Sequence, residues 1–135
     1  MEKSIVIDNF EFKNLNEYSP LVLAYLGDAV YELYIRSMIV AKNNMQVNKL
    51  HKEATGFVKA KAQSDIMEMI LPLLSEEETL VFKRGRNAHS YTSAKNADIV
   101  DYRRATGFEA LIGYLYIAGK KDRIFELLNE VLGEE

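Results

Sequence analysis

At 135 residues, 48% hydrophobic and 27% charged, the chain has the length and balance of one globular domain spanning 1–135 with a real core. The absence of cysteine excludes a disulfide framework and a thiolate zinc site and fits a reducing cytoplasm, while the lack of a signal-peptide pattern or an unbroken apolar run of about 18 residues predicts no membrane span. The net charge of −3 argues on its own against a nucleic-acid partner, yet Lys83, Arg84, Arg86, Lys95, Arg103 and Arg104 face only Asp98 and Asp101 in their stretch, so one basic face is available.

Residues 1–14 read as extended or frayed. Ser19-Pro20 is an N-cap followed by proline at the first helical position. The helix it opens runs from Leu21 to about Val40 and is apolar on nearly every side except at Asp28, Glu32 and Arg36, the pattern of a central helix. Asn43-Asn44 is a turn. From Gln46 to Ala62, Val47, Leu50, Ala54, Phe57 and Val58 share one face and lysines the other, with Gly56 as a weak point. Gln63 to Leu71 continues as helix after a short kink, until Pro72 stops it, and Met67, Met69, Ile70 and Leu71 read as core. Ser75 to Glu78 forms a capping box that opens a helix ending in Lys83-Arg84-Gly85-Arg86. Asn87 to Asp98 is polar and loop-like. Asp101 is the expected cap of the next helix, which ends at Ile117 before Ala118-Gly119. A last amphipathic helix, Lys121 to Leu132, turns Ile124, Leu127, Leu128 and Val131 inward. The predicted fold class is all-α.

Two carboxylates lie inside apolar helical runs: Asp28 in Tyr25-Leu26-Gly27-Asp28-Ala29-Val30-Tyr31-Glu32, and Glu109 in Phe108-Glu109-Ala110-Leu111-Ile112-Gly113. A buried carboxylate needs a proton, a cationic partner or a metal ion. Leu21, Ala24, Asp28, Glu32 and Ile35 share a helical face, as do Ala105, Glu109, Gly113 and Tyr116. A mid-helix glycine costs roughly 1 kcal/mol, and its usual compensation is close backbone approach. Gly27, Gly107 and Gly113 therefore predict a crossing that brings Asp28 and Glu109 within reach of one ion. Oxygen-only ligation favours Mg²⁺, with Mn²⁺ able to substitute, and suits phosphodiester hydrolysis. The alternative is that the two acids pair with Arg36, Arg103 or Arg104.

The same two segments resemble the two acidic signature helices of the ribonuclease III catalytic domain, in the family's order. The chain's length and Lys83-Arg84-Gly85-Arg86-Asn87-Ala88 resemble most the Mini-ribonuclease III branch, a catalytic domain without a double-stranded-RNA-binding domain. The likeness spans Leu15 to Leu132. It implies an endonuclease-domain helical bundle, a homodimer in which each protomer cuts one strand of double-stranded RNA, and Asp28 and Glu109 as metal ligands. It also implies precursor ribosomal RNA of the large subunit (23S) as substrate, with a ribosomal protein as a candidate presenter. Where ribonuclease III carries two further acids, this chain has Ala24 and Thr106, so water and RNA phosphates are expected to complete the coordination sphere.

Double-stranded RNA is gripped through phosphates and 2′-hydroxyls, which calls for cations and small polar donors. Lys83, Arg84, Arg86, Asn87, His89, Ser90, Thr92 and Lys95 supply that mixture, although basic residues at a helix C-terminus are also ordinary macrodipole partners. Glu32 reads as a supporting acid or a partner of Arg36. His51 reads as solvated surface, and Tyr31, Tyr34, Tyr114 and Tyr116 as core or dimer contacts. The rivals to the enzyme reading are a non-catalytic RNA-binding or ribosome-assembly module on the same fold, and a helical interaction protein with buried ion pairs.

Overall fold

Ser19 caps the first helix, its hydroxyl accepting from the Val22 N–H at 3.2 Å, and Pro20 takes the first helical position. The computed structural model describes residues 10–88 and 98–133, and among them no strand occurs. Six α-helices follow one another: α1 (Pro20–Lys42), α2 (Val47–Val58), α3 (Ala60–Ile70), α4 (Glu76–Arg86), α5 (Ile99–Ile117) and α6 (Lys121–Leu132). Short 3₁₀ turns at Leu15–Glu17 and Leu71–Leu73 complete the described secondary structure.

The helix at the centre is α5, not α1. It packs against α1, α3, α4 and α6, and Phe108, Ala110, Leu111, Ile112 and Leu115 are fully enclosed. α1 buries Leu23, Ala24, Gly27, Tyr31, Ile35 and Ile39 on one side and leaves Tyr25 (83% exposed), Leu33 and Val40 outward. Its all-round apolar character thus serves two surfaces, the core and an open face. Tyr31 anchors the core side: its ring meets Phe108 edge-on at 5.0 Å, and its hydroxyl donates to the Phe57 carbonyl at 2.7 Å.

Three other expectations change. The break between α2 and α3 falls at Lys59, whose extended backbone interrupts the ladder without glycine or proline. Met69 and Leu71 are exposed, whereas Met67 and Ile70 are enclosed. Asp98 rather than Asp101 caps α5, its carboxylate accepting from the Val100 N–H at 2.7 Å, which leaves Asp101 in the first turn. There it still complements the positive end of the helix.

The capping box at Ser75 is present, with Glu78 accepting from the Ser75 N–H at 2.8 Å. Glu78 also receives Arg123 of α6, at 2.9 and 2.8 Å, and Arg123 reaches the Leu73 carbonyl at 2.8 Å. This fork ties α6 to the start of α4, and it holds the Glu78 carboxyl below its usual range. At the end of α5, Gly119 adopts φ +76°, a left-handed conformation that closes the helix before α6.

Candidate active site

The crossing of α1 and α5 has no room for a side chain on either glycine. A Cβ on Gly27 would lie 1.8 Å from the Glu109 carbonyl oxygen, and one on Gly113 would lie 2.0 Å from the Leu23 carbonyl oxygen. Main chain therefore rests on main chain. One residue past Gly27 comes Asp28, and one turn before Gly113 comes Glu109. Their carboxyl groups are in hydrogen-bonding contact. Gly107 takes no part in this crossing; its missing Cβ makes room for the Phe82 ring and carbonyl of α4.

The two acids are placed unequally. Asp28 sits on the exposed edge of α1, so the burial expected from its apolar neighbours applies only to Glu109, which is half-buried. Loss of hydration, with the Asp28 charge next, pushes the Glu109 carboxyl up to about 8. Arginine does not relieve this. Arg36 bonds Glu32 through Nε at 3.1 Å, and Arg104 pairs with Glu68 at 3.3 Å while donating to the Ser64 carbonyl at 3.3 Å. Glu32 is accordingly the partner of Arg36.

Gln63 of α3 acts in the opposite direction on the Glu109 carboxyl, but its Nε2 hydrogen bond is to the Val58 carbonyl, at 2.8 Å. Sequence reasoning missed this residue. Its signal was a polar side chain at a core register: Gln63, Met67 and Ile70 fall on one face of α3, and all are buried.

The positions where ribonuclease III carries further acids do not supply ligands. Ala24 is buried one turn before Asp28, and the Thr106 hydroxyl donates to the Tyr102 carbonyl of its own helix at 3.1 Å. Among the described residues, no group of three or more His, Cys, Asp or Glu side chains gathers to hold a metal. What the site offers is two carboxyl groups, a hard oxygen donor set that fits a weakly chelated, largely hydrated Mg²⁺ or Mn²⁺.

Lys83 and Arg84 are exposed at the C-terminal end of α4. Arg86 lies over the Phe82 ring at 5.6 Å and donates to Asn87 Oδ1 at 3.1 Å, so packing holds it and Asn87 caps the helix. His89, Ser90, Thr92 and Lys95 lie outside the described residues. His51 is exposed on α2. Tyr31 is core, Tyr34 bonds Asn129, Tyr114 bonds Glu77, and Tyr116 meets Phe12 edge-on. Among the described residues, no helix is long and apolar enough to cross a membrane.

Comparison with known proteins identifies the family. The family model described as the ribonuclease III domain matches residues 21–120. A Mini-ribonuclease 3 of Clostridium tetani is 53% identical over 133 residues, covering 98% of this chain and 88% of that protein. One from Brevibacillus brevis is 55% identical over 115 residues, covering 85% and 86%. A crystal structure of a Fusobacterium nucleatum protein superposes with a TM-score of 0.81 at 34% identity, covering 90% of this chain and 93% of that one. The chain belongs to the ribonuclease III family, in its Mini-ribonuclease 3 branch.

Proposed function

We propose that the chain is a Mg²⁺-dependent endoribonuclease of the cytoplasm that cleaves double-stranded RNA as a homodimer, its 135 residues forming one catalytic domain. The observation that carries this reading is the Glu109–Asp28 pair: two touching carboxylates, one half-buried, with the nearby arginines engaged elsewhere. Such a pair is destabilised until a proton or a cation joins it. Asp28 and Glu109 would hold a divalent cation, which would supply Lewis-acid chemistry for hydrolysis of a phosphodiester. Asp28, on the open edge, faces the side from which RNA arrives. Glu109 is carried by the enclosed helix α5.

Lys83, Arg84, Arg86 and Asn87 serve as phosphate and ribose contacts, in company with His89, Ser90, Thr92 and Lys95. The open face of α1 supports the dimer. It forms a wide apolar groove of about 560 Å³ with Phe10, Phe12, Leu33, Tyr116 and Phe125 among its walls. Left in water, such a patch marks an interface, and a second copy would bring two sites to one duplex. Precursor 23S ribosomal RNA is the proposed substrate, on the strength of the branch resemblance, and a ribosomal protein is a candidate presenter.

Asp28→Asn and Glu109→Gln keep shape and remove charge. Each should abolish Mg²⁺-dependent cleavage of a labelled RNA duplex while circular dichroism shows the native helix content. Wild-type cleavage by either variant would refute the ligand assignment. A wild-type protein that binds duplex and never cuts it would move the assignment to the non-catalytic RNA-binding module.

A further inference from the structure

Two glycine crossings grip α5 between Thr106 and Gly113. α1 meets it at Glu109 and Gly113. α4 meets it where a Cβ on Gly85 would stand 2.7 Å from the Ala110 Cβ, 3.0 Å from the Gly107 Cα and 3.5 Å from the Thr106 carbonyl oxygen. N-terminal to both contacts, Ile99, Val100 and Arg103 are exposed and Tyr102 is half-buried. Tyr102, Thr106 and Glu109 recur at helical spacing, so they form one polar stripe running out from the acidic pair. The Thr106 hydroxyl donates to the Tyr102 carbonyl at 3.1 Å and is satisfied within its own helix. The Tyr102 hydroxyl has no partner among the described residues. A tyrosine has only two side-chain torsions, and this ring is held part-way into the surface. Its hydroxyl is therefore presented at a defined place, seven residues or about 10 Å along the axis from Glu109.

We infer that Tyr102 reads the RNA sugar: its hydroxyl bonds a ribose 2′-hydroxyl of the strand held at Asp28 and Glu109, and so selects ribose over deoxyribose there. The inference rests on the duplex-cleaving reading of that site and names what discriminates its substrate. The polar groups around the site divide by chemistry. Phosphates call for cations, which Lys83 and Arg84 supply at the end of α4 and Arg103 near the start of α5. A 2′-hydroxyl both donates and accepts, and it is the group that tells RNA from DNA. A carboxylate only accepts and a guanidinium only donates, whereas a phenol does both. On this stripe Tyr102 carries the neutral hydroxyl that its own helix leaves unengaged.

Tyr102→Phe keeps the ring and removes only the hydroxyl, so the melting temperature should stay at the wild-type value. The probe is a labelled RNA duplex, made again with single 2′-deoxy nucleotides at successive positions flanking the cut on each strand. At one position the deoxy nucleotide should lower kcat/KM of the wild-type protein by about two- to tenfold, the loss of one hydrogen bond. The same nucleotide should cost Tyr102→Phe nothing further, because that variant has already lost the bond on the all-ribose duplex. Equal sensitivity of the two proteins at every position overturns the inference even if Tyr102→Phe is slower, since a merely structural role lowers all rates alike. A wild-type protein that binds the duplex and never cuts it overturns the nuclease reading instead. The same deoxy scan, read as affinity, then decides whether Tyr102 meets the sugar. A wild-type protein that does not bind the duplex overturns both.

Discussion

Two glycine crossings meet on α5, and they differ in what fills the contact. Against α1, Gly27 and Gly113 press carbonyl oxygens onto main chain, with 1.8 and 2.0 Å left for a Cβ. Against α4, Gly85 and Gly107 meet the Ala110 Cβ at 2.7 Å and the Phe82 ring and carbonyl at 2.7 Å. The first crossing carries the two acids, and the second leads into Lys83, Arg84 and Arg86. At 2.7 Å a small shift of the helix relieves the contact, whereas at 1.8 and 2.0 Å against main chain the helices can only separate. The acids are thus set by the rigid contact and the cations by the yielding one.

Alanine at these glycines tests that difference and should have the largest effect on stability. Overpacking typically costs about 1–3 kcal/mol. Gly27→Ala and Gly113→Ala should reach at least about 3 kcal/mol, because the helices must part. Gly85→Ala should cost about 1–2 kcal/mol: the Ala110 Cβ at 2.7 Å is fixed to its backbone, so α4 must move, but less far than 1.8 Å demands, and alanine recovers up to about 1 kcal/mol of helix propensity. Urea denaturation midpoints measure all three. Equal losses at Gly27 and Gly85 would erase the distinction.

The acids make the first crossing sensitive to pH. The Glu109 carboxyl ionises near 4.5 in the unfolded chain and near 8 in the folded one. Between those values the native state holds the proton more tightly, so unfolding releases it and raising the pH favours the unfolded state. Metal-free protein should therefore lose melting temperature from pH 5 to 8, with full stability on the acid side. Glu109→Gln should flatten that slope, and Mg²⁺ should restore stability at pH 8. A slope unchanged by Glu109→Gln would place its origin elsewhere.

The crossing itself was legible because glycine inside a helix has few explanations, and a carboxylate beside it narrows them further. Which side of α1 faces the core was not legible. A helix apolar all round either lies in the middle of a fold or serves two surfaces, and periodicity within one chain cannot tell these apart. That is also why Asp28 looked buried and stands at an edge. Asp98 and Asp101 are both competent caps three residues apart, so choosing between them needs the backbone. Lys59 carries no breaker chemistry; the break there is accompanied by the Gln63 bond to Val58, a local side-chain contact that no turn signal announces. Gln63 was visible as an odd residue at a core position, but its partner, the Val58 carbonyl, is freed only by the break at Lys59.

The yielding crossing makes a prediction about RNA. Arg84 is exposed, whereas Arg86 rests on Phe82. Removing one phosphate-binding cation should lower the log–log salt slope of duplex binding by about one. Arg84→Ala should do so with little change in stability. Arg86→Ala should reduce stability as well, since a cation over an aromatic ring is worth about 0.5–1 kcal/mol when exposed. Duplex affinity at several salt concentrations, read beside melting curves, separates the two. A wild-type slope in the double variant would put the RNA on another face.

The smallest effect sets the zero of the glycine scale. Gly56 lies in α2 with nothing within 4 Å of where a Cβ would stand, so it has neither the backbone contact of Gly27 nor the side-chain contact of Gly85. Its freedom is spent only in the unfolded chain. Gly56→Ala should stabilise the protein by about 0.4–1 kcal/mol, with unchanged metal binding and cleavage. The gain would show as a higher urea midpoint at constant slope. A loss instead would mean that α2 approaches another surface at Gly56, such as a second copy or bound RNA. Repeating the measurement across protein concentrations would then identify the second copy, because only self-association makes the loss depend on dilution.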